Sequence, residues 1–83
     1  MWLTIDKSIN ISLIRQVYGQ IKSMILDGKL LAGNKLPSTR WLSENLEVSR
    51  NVILEAYAQL TAEGYIESIR GSGTIVAKGI YFK

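Results

Sequence analysis

Residues 36–64 read LPSTRWLSENLEVSRNVILEAYAQLTAEG, and few folds can use that pattern. Leu42 and Leu46 lie four apart, so they share one face of a first helix. Ser38 follows Pro37, and its hydroxyl can accept a hydrogen bond from an orphan amide of the first turn. Glu47 and Val48 make a turn, and Ser49 is a second candidate N-cap. Ile53, Ala56, Tyr57 and Leu60 then recur at i, i+3, i+4 and i+7, the buried stripe of a second helix. Gly64 suits its left-handed C-terminal cap. At about 100° per residue, Asn51, Leu54, Glu55 and Ala58 fall opposite the stripe, with Arg50 at its edge. A short helix, a tight turn and a second helix with a polar leading end is the layout that lays a helix in a duplex major groove.

The 83 residues make one domain, near the lower end of what buries a core unaided. An apolar fraction of 47% excludes disorder on compositional grounds. No apolar run approaches the roughly 20 residues that cross a bilayer, so no membrane partner is expected. With neither cysteine nor histidine, there is no basis for a disulfide, a zinc site or imidazole chemistry. Lack of cysteine fits a reducing compartment. A net charge of +3 favours a polyanionic partner only weakly, so the placement of the cations has to decide.

Ahead of this stretch, Trp2-Leu3-Thr4-Ile5 alternates like a short strand or an extended arm, and a pinned or frayed terminus is the simpler reading. A first helix is expected over 11–28, where Ile14, Val17, Tyr18, Ile21, Met24 and Ile25 cluster on one face. Asn10 or Ser12 can cap it and Gly28 can end it. Gly33-Asn34 signals a turn, Leu36 adds a short strand at a sheet edge, and Pro37 stops the chain before the next helix. After Gly64, two β-rich runs flank Arg70-Gly71-Ser72-Gly73 and read as a hairpin over 65–77. No helix follows the Gly-Ser-Gly, so a phosphate-loop enzyme has little support. Residues 78–83 carry no clear element.

In order and spacing, LPS-x-R, L-x-x-x-L-x-VSR, the EG that closes the second helix and the G-x-G-T hairpin resemble the GntR-type winged helix-turn-helix. The earlier ISLIRQVYGQIKSMILDGKLLAGNK is similar to that family's first helix and its G-x-L-x-x-G loop. VSRN, EAYAQL, AEGYI and the opening WLTID look like the MocR-like branch, so the likeness covers nearly the whole chain. The fold this implies is α+β: one winged helix-turn-helix domain over 1–83, with helices at 11–28, 38–47 and 49–63 and a β-hairpin wing at 65–77. The resemblance further implies a cytoplasmic bacterial transcription regulator that binds operator duplex DNA, usually as a dimer. In the MocR-like branch the winged domain is the N-terminal module of a longer protein, and a following domain carries pyridoxal phosphate. That cofactor is expected nowhere in these 83 residues.

Carried over by motif, Arg40 and Arg50 resemble the family arginines at the starts of the second and third helices. Ser38 and Ser49 match positions where hydroxyls and N-terminal amides meet phosphates. Thr39 and Asn51 adjoin these residues, and Asn51 is expected to face the groove. Arg70, Gly71 and Ser72 match the wing tip. Val52 stands where a threonine is frequent, and Leu54 where many GntR proteins carry an arginine that reads bases. Leu54 can instead meet a thymine methyl. Simpler roles compete: Arg40 can pair with Glu44 one turn on, and the serines can serve only as caps. The alternative to DNA binding is a winged-helix module that docks a protein chain.

Overall fold

The computed structural model describes residues 3–71 and 73–78, which leaves Met1, Trp2, Ser72 and the tail 79–83 outside the description. Three helices and an antiparallel hairpin follow one another: α1 (Leu13–Leu26), α2 (Thr39–Leu46), α3 (Arg50–Ala62), β1 (Ile66–Ile69) and β2 (Gly73–Val76).

Each helix begins at a serine. Ser12 Oγ accepts from the Arg15 amide at 3.2 Å, Ser38 from Trp41 at 3.0 Å and Ser49 from Val52 at 3.4 Å. Of the two cap candidates for α1, Ser12 does the work. The helix ends through Gly28, whose φ of +86° is in the left-handed region where a side chain would be strained. Glu47 adopts the same region at the end of α2, with φ 55°. The Val48 amide then donates to the Ser43 carbonyl at 3.1 Å, a Schellman closure that turns the chain at once into α3.

Val17, Ile21 and Ile25 of α1 meet Ile53, Ala56 and Leu60 of α3, and Leu42 closes the core from α2. Leu3, Leu36, Ile66 and Val76 fill it from the arm, the loop before α2 and the hairpin. Tyr18 and Tyr65 are half-buried and pack against this core. The Tyr18 hydroxyl donates to Glu63 and accepts from Lys22 at 3.3 Å, which ties α1 to the end of α3. The Glu63 carboxylate that takes this hydrogen bond holds the Tyr18 hydroxyl above its ordinary pKa.

The hairpin pairs Ile66 with Val76, Glu67 with Ile75, Ser68 with Thr74 and Ile69 with Gly73. The strand expected at Leu36 is a single bridge one residue earlier, between Lys35 and Ile75. Leu36 donates its amide to Thr74 at 2.9 Å and buries its side chain. Pairing goes no further because Pro37 follows and Ser38 already belongs to the cap of α2.

Tyr57 carries a polar tip into the core, and its hydroxyl donates to the Pro37 carbonyl at 2.7 Å. This bond fixes the approach to α2 against the middle of α3. Burial pushes the Tyr57 pKa above its ordinary 10.0. The fold favours the protonated hydroxyl, so its contribution is complete below the unfolded value and is lost as pH rises through the folded one. Tyr57→Phe is expected to lower stability by about 1–2 kcal/mol, because it leaves the Pro37 carbonyl without its donor. Urea unfolding of the two proteins checks this.

The opening arm is pinned by two glutamines of α1 that no local pattern marks. Gln16 accepts from the Asp6 amide and donates to the Asp6 carbonyl, both at 2.9 Å. One turn on, Gln20 holds Thr4 in the same two-way manner. Each side-chain amide thus supplies the donor and acceptor that a neighbouring strand would have supplied. Beyond the clasp, Lys7 Nζ donates to the Glu47 carbonyl at 2.7 Å and braces the turn between α2 and α3.

Candidate nucleic-acid interface

Two helix N-termini lie side by side at the surface, joined by a side-chain contact. Arg50, the first residue of α3, donates from Nε to Thr39 Oγ1, the first residue of α2, at 3.3 Å. The link sets the guanidinium between the leading ends of both helices. Ser38 and Ser49 each satisfy one amide of the turn they cap. The remaining first-turn amides of an α-helix have no carbonyl partner within it, and the partial positive charge there favours anions. Ser38, Arg40, Ser49, Arg50 and Asn51 are exposed, and Thr39 is half-buried. Two oriented helix ends and two guanidinium groups suit phosphate oxygens, with Arg50 also shaped for a bidentate contact.

Arg40 makes the contact that competes with a DNA role: its Nε lies 3.5 Å from Glu44 Oε2, one turn along α2. Both side chains are largely exposed, so the pair is worth only a few tenths of a kcal/mol. A phosphate can displace it at little cost.

Along α3 the exposed face runs through Asn51, Leu54, Glu55 and Ala58. Leu54 is 47% exposed, whereas Val52 is half-buried and packs on the core. The side chain of Val52 therefore supports the first turn of α3 from within.

Arg70 and Gly71 are exposed at the end of the hairpin, and Gly71 takes φ +81° to make the turn. Arg50 is bonded to Thr39, the chain neighbour of Arg40, but among the described residues no hydrogen bond or ion pair ties Arg70 to Arg40 or Arg50. Ser72 is outside the described residues.

Lys7 and Trp41 belong beside this set. Lys7 holds the turn that aims α3, a role with no local signal because the contact spans 40 residues of sequence. Trp41 stands next to Arg40 on α2 and is 46% exposed.

The profile of bacterial regulatory proteins of the gntR family matches residues 13–76. The chain is 45% identical over 75 residues to the probable rhizopine catabolism regulatory protein MocR of Rhizobium meliloti, a match that covers 90% of this chain and 15% of that protein. It thus spans about a seventh of that relative, and 14% of the pyridoxine biosynthesis regulator PdxR of Corynebacterium glutamicum, to which it is 45% identical over 65 residues. Among solved structures, YtrA of Sulfolobus acidocaldarius, a GntR-family transcription factor, superposes with a TM-score of 0.85 at 30% identity, covering 96% of this chain and 84% of that one. The DNA-binding domain of AraR in complex with operator ORX1 superposes with a TM-score of 0.76 at 31% identity, covering 90% and 94% of the two chains. On the profile, on this identity and on the order of its elements, the chain belongs to the GntR family of bacterial regulatory proteins.

Proposed function

We propose that this domain binds operator DNA in a sequence-specific way, with α3 in the major groove and the hairpin against the neighbouring backbone or minor groove. The observation that carries this reading is the Arg50–Thr39 contact, which gathers two helix N-termini and a preset guanidinium on one exposed surface. The likeness to a domain solved on its operator supports it. In this reading Arg50 contacts a guanine edge or a phosphate, and Asn51 reads a base edge. Arg40, Ser38 and Ser49 with the first amides of α2 and α3 hold phosphates, and Arg70 with Gly71 supplies the wing contact. A protein-docking role has less support, because the joined helix ends present cations and amides to solvent.

The domain serves, in the same proposal, as the DNA-reading module of a longer cytoplasmic regulator that acts as a dimer on two half-sites. Among the described residues, Lys7, Lys29, Lys35 and Lys78 are exposed, and Lys22 lies at the surface over the Tyr18 and Tyr65 rings. None of these amines sits in an enclosed site suited to a Schiff base.

Selection from random duplexes with the 83-residue chain tests the proposal. Enrichment of one sequence is the expected result, and recovery of unenriched DNA overturns it. Affinity for the selected duplex is also expected to fall linearly on a log–log plot against salt, by roughly 0.9 per phosphate neutralised. Arg40→Ala should flatten that slope by about one while leaving base preference intact. A titration series across salt concentrations measures both.

A further inference from the structure

We propose that the exposed face of α3 reads thymine methyl groups, with Leu54 and Ala58 contacting two neighbouring C5 methyls in the major groove. This rests on the DNA-binding reading and specifies what the operator must contain.

Leu54 is 47% exposed while its neighbour Ile53 is fully buried, so the core does not explain a large apolar side chain there. Ala58 is exposed one turn further along the same ridge. In angle Ala58 lies between Leu54 and Glu55, which is also exposed. After Arg50 no cation occurs in α3, whose sequence is RNVILEAYAQLTA. The helix therefore offers one guanidinium at its leading end, then an amide, an isobutyl group, a carboxylate and a methyl.

Base edges sort themselves against that order. Guanine shows two acceptors, O6 and N7, in the major groove. Opposite Leu54 they would lose water and gain no donor, and opposite Glu55 they would face a second acceptor. Thymine shows a methyl that an isobutyl group covers well, and cytosine or adenine shows an amino group that a carboxylate accepts. Guanine thus belongs only under Arg50, and thymine under Leu54 and Ala58. The same apolar pair without flanking cations would suit a protein partner, but here Arg50 and the first-turn amides of α2 and α3 adjoin it.

The test replaces each thymine of the selected operator in turn by deoxyuridine, which removes only the methyl. With the parent chain, one or two adjacent positions in each half-site are expected to weaken binding by about fourfold each, the effect of one buried methyl. Leu54→Ala should bind the parent operator less well and should lose the penalty at one of those positions, since its partner is already gone. Leu54→Arg should, in a fresh selection, exchange that thymine for guanine. Uniform tolerance of deoxyuridine, or an unchanged penalty in Leu54→Ala, overturns the proposal while leaving DNA binding in place. Failure of the chain to enrich any duplex overturns both this proposal and the reading beneath it.

Discussion

Arg50→Ala weakens operator binding by about 1–3 kcal/mol, roughly 5- to 150-fold, in titrations at fixed salt, while thermal stability stays within about 0.5 kcal/mol of the parent. Two features place the effect there. The side chain is exposed at the first position of α3, so its loss opens no cavity. Its Nε is already bonded to Thr39 Oγ1 at 3.3 Å, so part of the cost of ordering it is met before DNA arrives. Thr39→Val removes that acceptor but keeps the volume, and should reproduce a small part of the loss. Arg50→Lys keeps the charge without the fork, so it should recover nonspecific affinity more than base preference. Equal affinity of Arg50→Ala and the parent would remove this residue from the interface.

The second large effect concerns the scaffold. Ile21 has no solvent exposure and sits in the α1 stripe that meets α3. Ile21→Ala is expected to cost about 2–5 kcal/mol, from lost transfer energy and the cavity that remains. In a domain this small, each kcal/mol lowers the melting temperature by about 4–8 °C. Calorimetry should therefore show a fall of about 8 °C or more. A smaller shift would mean that the arm and the hairpin close over the gap. Binding measured well below the transition should change little, since Ile21 lies within the core and apart from the helix ends.

How much of this was readable beforehand follows the distance over which each signal acts. Caps and stripes are local, and Ser12, Ser38 and Ser49 begin the helices as their positions suggest. Gly28 and Gly64 take the left-handed conformations that helix ends require. Periodicity also separated Ile53, Ala56, Tyr57 and Leu60 from the exposed Asn51, Leu54, Glu55 and Ala58. Contacts made by flexible side chains across the fold were not legible. Gln16 looks like one more polar residue on a helix, yet it is buried and holds the arm. Lys7 reads as a solvated cation, yet it reaches the carbonyl of a turn 40 residues away. Arg50 and Thr39 come from separate motifs, and only the folded chain shows the hydrogen bond between them. Val52 stands at a motif position beside the groove-facing residues, and only the fold shows its half-buried side chain packed against the core.

The glutamine clasp on the arm has a consequence for how the molecule fluctuates. Two reversible side-chain pairs hold Thr4 and Asp6, so the arm can lift away without breaking any turn of α1. Such an excursion uncovers Leu3 and withdraws Lys7 from the Glu47 carbonyl, which leaves the bend before α3 less firmly held. Local opening at the arm and the hold on the turn between α2 and α3 are therefore linked equilibria, and whatever weighs on one edge of the molecule also shifts the other.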